Sequence, residues 1–340
     1  MKKRIIAVII SAVLVLSFAA CGKTDNGGTA PNDTNELEKI TVCLDWTPNT
    51  NHTGLFVALA KGYYEEAGLD VTIIQPPENG AVQACSAGQA QFAVDFQDTL
   101  APAFTSDTPM DVTAVAALIQ HNTSGIISKK SEGMDRPAGI EGKEYLTWDN
   151  PTELAIMKKV VTDDGGDWSK VKIIPNTVTD EAQDITANPS HAIWVFYAWS
   201  GINAQVSGVD TDFFYLKDID PTFDYYTPVL VANNGYLASN PEQVKAFLNA
   251  TQAGYEYAIE NPEDAARILI DSDETGSLTG SEELVEASQL WLADKYTDDA
   301  FQWGYIDAAR WNAFYAWLYS EGLIEKEIPE NFGFTNEFLS

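Results

Sequence analysis

The passage that decides the fold is Ile40-Thr41-Val42-Cys43-Leu44, then Asp45-Trp46-Thr47-Pro48-Asn49-Thr50-Asn51-His52, then Gly54-Leu55-Phe56-Val57-Ala58-Leu59-Ala60. Five largely apolar, β-branched residues with no charge read as a strand buried on both faces. The next eight are polar and contain a proline, so they read as a loop. A helix is expected over 54–66, with Thr53 as N-cap and Gly68 as the left-handed stop. The unit then recurs. Residues 71–74 read as a strand, 80–87 as a short helix, 91–94 as a third strand, and a helix begins near Asp98. Strands follow at 112–119 and 125–128. A second round has a strand at 143–147, a helix at 151–163, and strands at 171–174 and 192–196. Asn150-Pro151-Thr152-Glu153 opens its helix with a cap residue, Pro at the first position and Glu at the third. Residues 226–232 form a further strand, and from Asn240 the chain is helical nearly to its end, with Asn240-Pro241 and Asn261-Pro262 as capped starts.

Strands alternating with helices imply an α/β fold in which parallel sheets are covered by helices on both faces. Two such rounds with a returning chain imply two domains. The first is discontinuous, 37–124 plus 232–340, and the insert is 125–231. A two-segment hinge is expected around Gly125 and Asn233-Asn234, with a ligand cleft between the domains at the strand C-termini.

The 340 residues, 45% apolar and 11% aromatic, suffice for two cores. Fifty acidic residues against 20 Lys plus Arg give a net charge of −30. So negative a surface repels phosphate backbones, and no nucleic-acid partner is expected. Nine Trp, 14 Tyr and 15 Phe are too many for a disordered chain. Three Cys and three His, with no CxxC and no HxxxH, leave no expected metal site, and no cofactor is expected. Cys43 and Cys85 could pair, but both sit in apolar contexts and read rather as buried free thiols.

The start of the chain carries an address. Lys2, Lys3 and Arg4 precede an uncharged apolar run that ends in Ala19-Ala20 before Cys21. Residues 1–20 read as a signal peptide. A Cys directly after small residues resembles a bacterial lipoprotein signal, with Cys21 lipidated and Phe18 where Leu is usual. Residues 21–36 read as a flexible tether. The expected location is the extracytoplasmic face of the cell membrane, with the chain anchored by lipid at Cys21.

In the loop 45–52, an aromatic plane, two amides and an imidazole stand at a helix N-terminus. They serve either to stack and hydrogen-bond a flat ring or as core, turn and cap residues, and composition does not choose. Trp194-Val195-Phe196-Tyr197-Ala198-Trp199 ends a strand of the second round. Val195 and Tyr197 fall on the face opposite Trp194 and Phe196, and Trp199 stands beyond the strand end. These rings serve either as stacking partners opposite Trp46 or as core, the expected place of Trp194 and Phe196. Gln97-Asp98 places an amide and a carboxylate at the same cleft edge, with Asp98 alternatively a plain N-cap.

These residues carry a resemblance. LDWTPNTNHTGLFVALAKGYYEEAGLDV, SAGQAQFAVDFQDTL, AIWVFYAWSGI, TPVLVANNGYL and NPEQVKAFLNATQAGYEYAIENPEDAA resemble the solute-binding proteins for thiamine pyrimidine precursors, a family that also includes the yeast-type pyrimidine synthases and riboflavin-binding relatives. The resemblance implies a type II periplasmic-binding-protein fold that serves the permease subunits of an ATP-binding-cassette importer. It also implies a small planar heterocycle as ligand and a monomer. The expected ligand contacts are Trp46, Asn49, His52, Gln97, Trp148, Tyr197, Trp199 and Asn203. Relatives often place Glu where this chain has Asn203, so a thiamine-type aminopyrimidine and a riboflavin-like flavin both stay open. A synthase-like enzyme is the remote alternative. The Cys cluster of the synthases is missing, and three scattered His make no nucleophile–base pair. The runs Asp163-Asp164 and 271–274 read as solvated loops.

Overall fold

The computed structural model describes residues 37–340. The expected signal segment, Cys21 and the tether to Glu36 lie outside the described residues. In chain order the strands are β1 (Glu38–Cys43), β2 (Leu69–Ile74), β3 (Phe92–Asp95), β4 (Val112–Ala117), β5 (Ser124–Lys129), β6 (Glu144–Thr147), β7 (Lys172–Pro175), β8 (His191–Phe196), β9 (Thr211–Tyr215) and β10 (Val229–Asn233). They form two five-stranded sheets, in the orders β2-β1-β3-β10-β4 and β7-β6-β8-β5-β9. Helices flank both, and no helix among the described residues is long and apolar enough to cross a membrane.

The sheets are mixed, not wholly parallel as expected. β1 runs parallel to β2 and β3, and β6 to β7 and β8. β10 is antiparallel to β3 and β4, and β5 to β8 and β9. The reason lies in the chain path. β4, like β3, is antiparallel to β10, so it ends at the same end of the first sheet as β1 and β3. The chain enters the second sheet on the interior strand β5, at the end where β6 and β8 finish. It must then run against those strands. β10 is reached the same way on the return.

This path also moves the expected boundaries. β10 belongs wholly to the first sheet, so the return crossing lies at 216–228 and not at 232. Gly125 is no linker. It sits within β5 opposite Val195 and Tyr215, where a Cβ would lie 2.2 Å from the Phe214 carbonyl oxygen. Asn233 ends β10 and caps the helix Asn234–Ser239, accepting from Tyr236 N at 3.0 Å. The outward crossing is 118–123.

The two crossings are fastened to each other. Asn122, fully buried, donates its amide to Phe223 O at 3.0 Å. Its Oδ1 accepts from Ser124 N and the Thr227 hydroxyl, and its backbone N–H donates to Asp224 at 2.9 Å. His121 adds Asp224 at 2.6 Å and Asp299 at 3.0 Å, and Arg310 approaches Asp224 at 3.4 Å. The Asp224 hydrogen bond is the main cause that holds His121 above its usual pKa.

Local signals act mostly as read. Gly68 adopts the left-handed conformation at φ 81°, and the helix Pro151–Asp163 begins at its Asn150 cap. The helix expected over 54–66 breaks at Gly62 (φ 78°) into Thr53–Ala60 and Tyr63–Glu66. Thr53 does not cap it, because a 3-10 turn at Thr50–His52, capped by Asn49, comes first. Cys43 and Cys85 are buried free thiols. The helix Glu181–Ala187, opened by an Asp180 cap, and strand β9 carry no expectation in the sequence reading.

The helix Thr53–Ala60 crosses Pro241–Glu260 at glycines. A Cβ on Gly254 would stand 2.1 Å from Gly54 O, and one on Gly54 would stand 2.2 Å from the Tyr255 ring. Tyr255 stacks on Trp303 at 4.6 Å and donates its hydroxyl to Asn51 O at 2.7 Å. Helix contact and the loop 45–52 are therefore set together. Gly254→Ala should force the helices apart at a cost of about 1–3 kcal/mol. For a body of this size that lowers Tm by roughly 2–10 °C in a thermal melt followed by circular dichroism. An unchanged Tm would mean the crossing yields without cost.

Candidate functional site

The parallel strands of both sheets end at one seam. Phe96, just after β3, packs on Phe196, the last residue of β8, with ring centroids 5.5 Å apart. The loops after β1 and β3 therefore face those after β6 and β8, which is where ligands bind in open α/β sheets. At one flank, Tyr197–Gly201 form a single π-helical turn. The Ala198 carbonyl of that turn accepts the Ser288 hydroxyl from the helix Glu282–Leu292.

The loop after β1 turns its polar groups inward. Asn49 Oδ1 accepts from Asn51 N at 2.9 Å, and its amide donates to Thr47 O at 3.0 Å. His52 is fully buried. Its Nδ1 faces the Asn49 N–H at 3.3 Å, which leaves Nε2–H to donate to Asp45 at 2.6 Å. The Thr50 hydroxyl meets Ser288 at 2.7 Å, and Thr50 O accepts from Tyr296. Trp46 alone is left out, 68% exposed.

Gln97 is likewise buried and structural. Its Oε1 accepts from Tyr226 N at 3.0 Å and its amide donates to Trp311 O at 2.9 Å. Across the seam Trp148, just after β6, is 52% exposed and lies 6.3 Å from the buried Trp194 ring. Tyr197 is half-buried among Phe213, Tyr215 and Trp291, with its hydroxyl bonded to Gln205 at 2.6 Å. Trp199 is half-buried against the first sheet's core. Asn203 is half-buried in the helix Ile202–Val206, and its side chain has no hydrogen bond among the described residues. Open aromatic faces thus come from Trp46 and Trp148, one per sheet. Asn49, His52 and Gln97 hold backbone in place behind them.

Carboxyl groups edge the seam on the first sheet. Asp45 follows β1, Asp95 ends β3, and Asp98 lies in the first turn of the helix Gln97–Thr105. Asp98 is not the N-cap, a place taken by Phe96. None of the three pairs with Lys or Arg among the described residues. Burial, then the charge of Asp95, pushes Asp98 up to about 6. Burial raises Asp95 to about 6 against its bonds to Thr99 and Phe96 N–H. On the second sheet, burial raises Glu153 and Glu181. Among the described residues no group of three or more His, Cys, Asp or Glu is placed to hold a metal ion. The sequence offers Asp98 as an edge group or an N-cap and carries no signal for the Phe96–Phe196 contact, since pairing across a seam leaves no local pattern.

The raised Asp98 carboxyl has a stability consequence. Its charged form is disfavoured in the fold, so its cost is absent below the ordinary value of 3.8 and grows as pH rises to about 6. Asp98→Asn should therefore melt higher than wild type at pH 7.5, by about 1–3 kcal/mol. The difference should vanish toward pH 4. Equal melting at both pH values would place the carboxyl in open solvent.

The comparisons with known proteins bear on the same frame. The family described as "NMT1/THI5 like" matches residues 49–265, more than half of the chain. The formylaminopyrimidine-binding protein of Halalkalibacterium halodurans is 27% identical, over 96% of this chain and 98% of the relative. The 4-amino-5-hydroxymethyl-2-methylpyrimidine phosphate synthase THI11 of Saccharomyces cerevisiae is 24% identical, over 69% of this chain and 71% of its own. Among solved structures, the periplasmic aliphatic sulphonate binding protein SsuA of Escherichia coli superposes with a TM-score of 0.62 at 12% identity. That match covers 86% of this chain and 95% of the other. It shows the fold alone, which is that of the periplasmic binding proteins. The chain itself belongs to the NMT1/THI5-like family.

Proposed function

We propose that this protein is the extracytoplasmic solute-binding component of an ATP-binding-cassette importer and that it captures a thiamine-type aminopyrimidine between its two sheets. The observation that carries this reading is the pair of open rings, Trp46 after β1 and Trp148 after β6, at sheet ends that meet through Phe96 and Phe196 and are edged by carboxyls with no Lys or Arg partner among the described residues. A flat ring gains apolar area on both faces there, and stacking contributes about 0.5–1.5 kcal/mol per partner beyond that area. Asp98, Asp95 and Asp45 suit the N–H donors of an aminopyrimidine and repel a phosphate or sulfonate. The name of the Halalkalibacterium halodurans relative supports the same chemistry.

The yeast relative raises the enzyme alternative. Binding without chemistry fits these residues better, because both nitrogens of His52 are occupied and the ring is sealed from the cleft. In this reading Tyr197, Trp199 and Asn203 form the flank of the pocket, and Asn49, His52 and Gln97 position its walls. The lobes 37–117 with 229–340, and 124–215, close about the two crossings when a ligand touches both. The chain acts as a lipid-anchored monomer with no nucleic-acid partner.

Calorimetric titration with 4-amino-5-hydroxymethyl-2-methylpyrimidine, its phosphate ester and riboflavin tests the ligand. The free pyrimidine should bind, and the ester should bind at least about tenfold more weakly. Trp46→Ala should weaken the pyrimidine roughly ten- to a hundredfold. No heat with the free pyrimidine would sink the reading, and tighter riboflavin binding would reassign the ligand to a flavin. The anchor is tested separately. Cys21→Ser should release the protein from membranes in fractionation, and retention would exclude a lipid at Cys21.

A further inference from the structure

The backbone N–H of Trp148 is tied to a buried carboxylate. Glu153, at the third position of the helix Pro151–Asp163, accepts from the Tyr145 hydroxyl at 2.5 Å, the Thr147 hydroxyl at 2.9 Å and Trp148 N at 3.1 Å. The Thr147 oxygen accepts in turn from Asp149 N at 2.8 Å. Asp149 stands in the left-handed region at φ 61°, a conformation that persists in a non-glycine residue only where its surroundings fix it. Glu153, Tyr145 and Thr147 are all buried. Besides opening the helix, these bonds fix the chain just after β6. There the Trp148 ring lies beside Trp194, half in solvent, at the strand ends that meet the first sheet through Phe96 and Phe196.

Packing accounts for only part of that ring, which leans on the buried Trp194 and leaves about half of its surface, 52%, open. Tyr197 and Trp199, the other aromatics beyond the second sheet, are engaged on their neighbours. We infer that Trp148 is the second sheet's stacking face for the ligand and that Glu153 is its positioning residue, acting through the Trp148 N–H and the Thr147 hydroxyl. This deepens the proposed capture of a flat ring and rests on it. The benefit to binding is entropic, since a wall fixed beforehand need not be ordered when the ligand arrives.

A double-mutant cycle, read by calorimetry with 4-amino-5-hydroxymethyl-2-methylpyrimidine, tests the inference. Trp148→Ala should weaken binding about tenfold, and Trp148→Phe, which keeps a ring, should restore most of it. Glu153→Gln should cost roughly three- to tenfold. The double variant Glu153→Gln with Trp148→Ala should bind within about twofold of Trp148→Ala alone, because a residue acting through Trp148 has nothing left to act on. Additive losses would overturn the positioning role and leave Glu153 merely structural. If Glu153→Gln fails to fold, Thr147→Val enters the same cycle with the same expectations. Trp46→Ala is the control. Should it weaken binding while Trp148→Ala does not, this inference alone fails. Should neither matter, the cleft reading fails with it.

Discussion

The fold depends on Asn122. From the outward crossing its amide donates to Phe223 O and its oxygen accepts from the Thr227 hydroxyl, both on the return crossing, while the same oxygen accepts from Ser124 N at the start of β5. A buried amide left without these partners would cost about 1–3 kcal/mol, so the crossings stay together or the region opens. With the crossings joined, β5 and β10 both start at the end of their sheets where the parallel strands finish. That explains the reversed β5 and β10, and it explains why the ends of β1, β3, β6 and β8 meet. The place of the site is thus a property of chain path before it is a property of any residue that lines it.

Much of this was legible residue by residue. The apolar run at Ile40, the cap and proline at Asn150-Pro151 and the Gly68 stop are local signals, and they act locally. What failed depended on partners distant in sequence. A strand's own pattern does not say which way its neighbour runs, so the reversal of β5 and β10 was invisible. Gly125 reads as a linker because glycine marks loops, yet here it admits the Phe214 carbonyl beside it in a sheet. Glu153 was read as a helix-opening residue, and it does accept from Asn150 N–H. Its bonds to Tyr145 and Thr147 come from the strand before the helix, and no helix signature contains them.

The seam is also where local rules are broken. Asp98 and Asp95 carry raised carboxyls that a fold selected for stability alone would replace with amides. Asp149 occupies a backbone region that favours glycine, and two tryptophans lie open to water. Each feature costs free energy on its own. Single examples stand elsewhere, such as the positive φ of Ser131 and the exposed Phe301, but raised carboxyls, a left-handed Asp and open tryptophans occur together where the sheets face. Unfavourable features scattered over a surface would carry little meaning. Gathered at a strand-end cleft, they mark the part of the chain that is shaped by something other than its own folding.

The division of labour at that cleft follows from backbone accounting. A chain leaving β1 for a helix must satisfy the free N–H groups of the turn, and Asn49 and His52 are consumed in doing so. Their amide and imidazole look from sequence like ligand-binding groups because the chemistry for capping and for recognition is the same. An indole ring carries one N–H and has little part in capping, so Trp46 and Trp148 are free to be presented. Recognition then falls to flat surfaces for the body of a ligand and to carboxyls at the edge for its polar substituents. Asn203, half-buried and without a side-chain partner, adds an amide that both donates and accepts. Such an amide tolerates a wider set of ring edges than a carboxylate, which accepts only. The first sheet's carboxyls are left as the charged discriminators of whatever ring the tryptophans enclose.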